Sequence, residues 1–199
     1  IQDNFGLTLE LEGGSRPGRQ EFVVRQDAPS GVAESLSRPE EFRVLQVAFK
    51  AGVTVPEPLW LCEDPEVSGQ VFYVMTRAAG SASPRKLVKA DFSQEQRRNL
   101  VRRLGAELAR LHTVRPPQAS LEFLALPDPG NPARSRVALY RRYLREVGEP
   151  HSVLEWALNW LEDRAPEPGP TVLCHCDFRT GNYMVDGDEL TAVLDWEFA

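Results

Sequence analysis

The sequence is short of cysteine, methionine and histidine, with three, two and three among 199 residues. Three cysteines cannot build a disulfide framework, and an odd count fits a reducing compartment and a cytoplasmic location. Long apolar runs are missing too. The longest, such as VLQVAF at 44–49, fall far below the roughly 20 residues that cross a bilayer. The first residues lack the charged-then-apolar grammar of a signal peptide, so neither export nor membrane insertion is expected. Positive charge is in deficit, with 23 Lys and Arg against 29 Asp and Glu and a formal charge of −6. That balance argues against nucleic acid or anionic membrane as a partner. The one basic run, RRNLVRRLGAELAR, reads as the solvated face of a helix. What remains is a soluble chain with 42% apolar and 26% charged residues, enough for one packed domain or two small lobes.

The first half reads as strands around one helix. FGLTLELEGG alternates toward a Gly-Gly turn and QEFVVRQ follows the turn signal GSRPGR, which predicts a hairpin over 5–26. Ser37 with Glu40 forms a capping box ahead of Phe42, Leu45, Val47, Ala48 and Phe49, predicting a helix that ends by Gly52. VTVPEPLWLCED and VFYVMTRA return to strand composition, and the prolines place the former at an edge. From Ser93 the grammar turns helical. Ser93 with Gln96 caps a segment with Leu100, Leu104, Leu108 and Leu111 at helical spacing, and RSRVALYRRYLREVG and SVLEWALNWLEDRA repeat the pattern. After PEPGP, a strand is expected in TVLCH, then a hairpin from NYMV through Asp-Gly to LTAVLDW. A β-rich front and a helical back joined near Gly80 predict two lobes, residues 1–79 and 80–199, with a ligand cleft between them.

The run VLCHCDFRTGNYMV admits two chemistries. Cys174, His175 and Cys176 are zinc-type ligands, but a structural zinc site needs four, and no second pair accompanies them. On a strand the two cysteines would share one side with His175 opposite, and both are expected to be small buried apolar groups. The same run holds His-x-Asp-x-x-x-x-Asn, followed across a hairpin by a further acid: His175, Asp177, Asn182 and Asp195. That is the arrangement of a kinase catalytic loop and its metal-binding acid. Phosphoryl transfer needs a carboxylate near the attacking hydroxyl, which suits Asp177. It also needs hard oxygen ligands for magnesium, which suits Asn182 and Asp195. The competing reading is that these are turn residues bonded to their own backbone.

HCDFRTGN followed by VLDWEFA resembles the aminoglycoside phosphotransferase family, kinase-like small-molecule phosphotransferases related to choline kinase. The resemblance covers nearly the whole chain, including the segment from EEFRVLQVAF to FYVM and the helix LGAELARLHTV. It implies an α+β, protein-kinase-like two-lobed fold, with a β-rich N-lobe containing one helix and a mostly helical C-lobe carrying a catalytic hairpin. ATP and Mg2+ would bind between the lobes, and a small molecule would offer a hydroxyl as acceptor. Asp177 would then be the catalytic acid/base, His175 would buttress the loop, and Asn182 and Asp195 would hold magnesium. Arg25, where the family more commonly has lysine, would face the phosphates under the orienting carboxylate of Glu41. Thr76 would offer its carbonyl and Ala78 its amide to the adenine, with Met75 packed behind the ring, and Arg179 would stabilise charge on the moving phosphoryl group.

Several positions depart from the family pattern. Cys176 stands where glycine is common, a tolerable change if φ there is negative. The resemblance implies a fold abbreviated at both ends, lacking part of the phosphate-covering loop and the later helices that shape the acceptor site. The ending LDWEFA looks closer to the branch associated with acyl-CoA metabolism than to resistance enzymes. The alternative function is a kinase-like regulatory module that binds nucleotide without turnover.

Overall fold

The computed structural model describes residues 2–27, 35–128 and 130–199. They fall into two compact units, Ile1–Phe123 with Val172–Ala199, and Leu124–Thr171.

The first unit begins with β1 (Gln2–Leu11) and β2 (Gly18–Asp27), the predicted hairpin, paired antiparallel in full register from Gln2↔Asp27 to Leu11↔Gly18. Helix α1 (Arg38–Lys50) follows. Its capping box forms as expected: the Ser37 N–H donates to Glu40 Oε2 at 2.9 Å and the Ser37 hydroxyl to the same oxygen at 2.6 Å. Glu41, Phe42, Val44, Leu45 and Ala48 make its buried stripe, while Phe49 falls on the solvent side at 43% exposure. Strands β3 (Pro58–Cys62) and β4 (Phe72–Thr76) complete a four-stranded antiparallel sheet in the order β1-β2-β4-β3. The proline-bearing β3 takes the edge, where missing N–H donors cost least.

A short helix, α2 (Pro84–Lys89), and the long α3 (Gln94–Leu111) come next. Ser93 and Gln96 cap α3 reciprocally at 3.2 and 2.9 Å. Of its leucines Leu111 is fully buried, and the arginines of the basic run are exposed, as a solvated face requires. Glu107 of α3 is 4% exposed and accepts from Thr54, through its N–H at 2.7 Å and its hydroxyl at 3.0 Å. The unit closes with the hairpin β5 (Tyr183–Asp186) and β6 (Glu189–Val193). Val193 N–H donates to the Thr54 carbonyl at 2.7 Å, so the segment before β3 is held by both α3 and β6.

The expected strand over TVLCH does not form. Leu173 N–H bonds the Val114 carbonyl at 3.0 Å, a loop partner rather than a strand. The extended run then ends at Cys176, where φ is +62°. Burial still alternates along it, with Leu173 and His175 inside and Cys174 and Cys176 outside.

The second unit holds α4 (Pro132–Val147) and α5 (Ser152–Asp163), both at the predicted positions. Asn131 caps α4 by accepting from Arg134 N–H at 3.0 Å, and Gly148 ends it in the left-handed conformation. Arg141 of α4 donates to Asn159 of α5 at 2.6 Å. Among the described residues no helix is long and apolar enough to cross a membrane.

Candidate active site

The catalytic-loop motif folds around His175, a residue 1% exposed. Its Nδ1 accepts from the Asp177 N–H at 3.3 Å, and its Nε2 lies 2.8 Å from the Leu194 carbonyl. A carbonyl can only accept and an N–H can only donate, so the ring is neutral with its proton on Nε2. Burial lowers its pKa below the ordinary histidine value, outweighing the Leu194 carbonyl and the Asp195 and Asp177 charges. Trp196, 2% exposed, packs on the ring at 4.6 Å between centroids, and Phe178 meets it edge-on at 5.7 Å. The imidazole thus links the loop start to the residue before Asp195.

Asp177 presents a partly exposed carboxylate. Asn182 Nδ2 donates to Asp177 Oδ2 at 2.6 Å and to the Asp177 carbonyl at 3.0 Å, fixing the acid from behind. Arg179 Nε lies 3.1 Å from both Asp177 oxygens, its side chain 63% exposed. The arginine therefore pairs with the acid itself. The Leu194 N–H donates to the Asn182 carbonyl at 2.8 Å, which brings the two expected metal ligands onto neighbouring backbone.

Asp195 adopts φ +67°, a left-handed conformation that aspartate tolerates better than most residues. Its Oδ1 accepts from Arg25 Nη2 at 2.6 Å. Arg25 rises from β2, opposite Tyr73 of β4, with its side chain 8% exposed. Its Nε donates to Glu41 Oε2 at 3.0 Å and its Nη2 reaches Glu41 Oε1 at 2.9 Å. Burial works against the charge of Arg25, but the Glu41 and Asp195 carboxylates outweigh it and hold the guanidinium above its ordinary pKa. Tyr73, 2% exposed, has its phenol pushed well up by burial and then by Glu41.

Arg25, Tyr73, Met75, Leu194 and Asp195 line one small cavity of about 100 Å³, with Asn4 of β1 at its side. Ligand pockets commonly span roughly 300–1,000 Å³, so there is room for a fragment of a nucleotide rather than a whole one. Of the expected adenine-binding residues, Met75 lines this space. The Thr76 N–H is taken by the Glu57 carbonyl at 3.0 Å, and half-buried Ala78 lies in the segment after β4.

The donor set suits magnesium chemically. Asp195 and Asn182 offer hard oxygens, and this ion characteristically takes one or two protein ligands and completes its shell with water and phosphate oxygens. Among the described residues there is no group of three or more histidine, cysteine or acidic side chains that could hold a metal ion. The cysteines are not the buried apolar groups expected from the sequence: Cys174 and Cys176 are exposed and Cys62 half-buried. They flank an inward-pointing histidine, so they take the outward side of the same extended run. Cys176 also has positive φ, contrary to the condition under which its replacement of glycine would be free of strain.

Two residues of this site were not singled out from the sequence. Arg38 is 1% exposed and its Nη1 donates to Glu41 Oε2, though an arginine beside a helix cap looks like surface. Trp196 forms the wall behind His175, and its position next to Asp195 was the available signal.

Known proteins resemble this chain in sequence and in fold. A mouse protein, acyl-CoA dehydrogenase family member 10, is 29% identical over 89% of this chain and 17% of its own length. The chicken acyl-CoA dehydrogenase family member 11 is 28% identical over 92% of this chain and 24% of its own. This chain therefore spans a quarter or less of these curated relatives. Among solved structures, a Ralstonia eutropha JMP134 protein assigned as an aminoglycoside phosphotransferase superposes with TM-score 0.68 at 25% identity, over 96% of this chain and 59% of that one. The macrolide 2'-phosphotransferase MphH of Brachybacterium faecium shares the fold, with TM-score 0.60 at 21% identity over 97% and 66%. Residues 9–199 match the profile of the phosphotransferase enzyme family (APH), and the chain belongs to that family.

Proposed function

We propose that this chain is the catalytic part of an ATP- and Mg2+-dependent phosphotransferase that moves the γ-phosphoryl group to a hydroxyl of a small molecule. The observation that carries the proposal is the joining of both halves of the machinery. Asp177 and Asn182 bond at 2.6 Å, Asp195 and Arg25 bond at 2.6 Å, and His175 with Leu194 ties one pair to the other. Residues 1–79 would act as the nucleotide-binding lobe and 80–199 as the catalytic one.

Asp177 would receive the acceptor hydroxyl and take its proton as the new P–O bond forms, while the bond to the ADP oxygen breaks. Asn182 would keep that carboxylate aimed through its Nδ2 bond and would offer its own Oδ1 to the metal, with Asp195 as the second ligand. Magnesium, when bound, would neutralise the triphosphate oxygens. Arg25 would turn from Asp195 toward the phosphates, and Arg179, on an exposed stem, could leave Asp177 for the same charge as the acceptor enters. Met75 would pack behind the adenine, with the Thr76 carbonyl and the Ala78 amide at its edge.

A thermal-shift titration with ATP, with and without Mg2+, tests this on wild type and Asp195→Ala. A ligand at a hundredfold excess over Kd stabilises the folded form by about 2.7 kcal/mol. The expected result is a magnesium-dependent rise in Tm that Asp195→Ala loses. A shift followed by no transfer to any hydroxyl acceptor would favour the regulatory module, and no shift at all would defeat both readings.

A further inference from the structure

Arg38 stands at the first position of α1, where a cation opposes the helix dipole, and it is buried as well. Both placements are unfavourable unless the charge is used. Its guanidinium reaches three groups. Nε pairs with Asp27 Oδ1 at 2.8 Å, Nη1 donates to Glu41 Oε2, and Nη2 donates to the Leu36 carbonyl at 3.0 Å.

Glu41, also 1% exposed, is therefore shared by two buried arginines. A buried carboxylate with one cationic partner would hold that partner fully, because nothing else nearby could balance it. Here Arg38 supplies a second positive charge to the same oxygen that Arg25 Nε uses. The Glu41 hold on Arg25 is correspondingly weaker, and Arg25 Nη2 is divided between Glu41 at 2.9 Å and Asp195 at 2.6 Å.

We propose that Arg38 is a positioning residue: by sharing Glu41 it lets Arg25 direct Nη2 out of the α1 ion pair toward Asp195 and, in the nucleotide complex, toward phosphate oxygens. This rests on the phosphotransferase reading and adds a residue to it. Arg38 touches neither nucleotide nor acceptor. It acts through Glu41, and its effect belongs to the phosphate end of the ligand alone.

The test compares Mg-ATP with adenosine on wild type, Arg38→Met and Arg38→Lys by isothermal titration. The ratio of the two affinities reports phosphate recognition, and a purely structural role would lower Tm without moving it. The expected result is a fall of about tenfold in the ATP-to-adenosine ratio for Arg38→Met, in the range of coupling between contacting residues. Arg38→Lys should restore most of it by returning a charge to Glu41. Should Arg38→Met fail to fold, Arg38→Gln keeps a donor for Glu41 without the charge and should show the same fall. An unchanged ratio in a folded, uncharged variant overturns the inference while leaving the proposed function standing. Loss of ATP binding in wild type itself overturns the proposed function and this inference together.

Discussion

Arg25 and Asp195 lie 170 positions apart in sequence and meet at 2.6 Å, a strand cation bonded to the acid that follows the β5–β6 hairpin. The two charges form an ion pair. A triphosphate with its metal would separate them, the arginine going to phosphate and the aspartate to the ion. Asp195→Asn should therefore remove the magnesium dependence of ATP binding and weaken it by at least about tenfold, a loss of roughly 1.4 kcal/mol. Adenosine affinity should stay level, and calorimetric titration of both ligands checks it.

Asp177→Asn isolates the proton-accepting role, since the amide preserves size and can still accept from Asn182. Turnover should drop by about 10²–10⁴, the usual worth of a positioned general base. Nucleotide affinity should change by no more than about twofold. Steady-state kinetics beside a binding measurement would show it, and an equal loss in both would point to a structural rather than chemical role.

Glu41 is the balance point of the buried ions. Glu41→Gln leaves Arg25 and Arg38 facing each other without their shared anion, and breaking a buried ion pair on one side costs about 3–5 kcal/mol. Urea unfolding should show that loss. A change of less than about 1 kcal/mol would mean that Asp195 and Asp27 balance the two arginines without Glu41.

Gly80 has φ +92°, and a Cβ there would sit 2.2 Å from the Val185 carbonyl oxygen. Gly187 also has positive φ, +59°, but a Cβ there meets nothing within 4 Å. Gly80→Ala should cost about 2–3 kcal/mol, overpacking added to backbone strain. Gly187→Ala should cost about 1 kcal/mol. Comparing the two by thermal unfolding separates the clash from the dihedral.

His175 is buried neutral, with its folded pKa below the ordinary value of 6.5. The unfolded chain therefore binds the proton first as pH falls, and stability is lost between about pH 6.5 and the lower folded pKa. Above that window the contribution is complete. Tm measured without metal should decline on acidification from about pH 6.5, and His175→Gln should lack that part of the decline.

What the sequence made legible was local. Asp177 and Asn182 sit five residues apart, and their hydrogen bond follows from that spacing. The capping boxes at Ser37 and Ser93 are short-range chemistry as well, and the structure contains both. Arg38 was hidden because Asp27 of β2 meets it across the fold, while its other partner, Glu41, is an ordinary i,i+3 neighbour in α1, and nothing in SRPEEF distinguishes it from a surface arginine. The absent strand at 171–175 has a similar cause. Its alternation of inside and outside residues is real, but a strand also needs a partner, and there the chain finds a single carbonyl at Val114. The exposure of Cys174 and Cys176 follows from the inward side being taken by Leu173 and His175.

After β4 the chain passes from the four-stranded sheet along the β5–β6 hairpin through a crossing pinned on both banks. Arg77 N–H is tied to the Glu21 carbonyl of β2 at 3.1 Å, while the Ala79 carbonyl accepts from Thr191 of β6 at 2.7 Å. Ser81 exchanges two bonds with Val185, at 2.9 and 3.2 Å. Ala78 lies between these moorings. A base seated at its amide, as proposed, would add one more tie to a crossing already held from both sides.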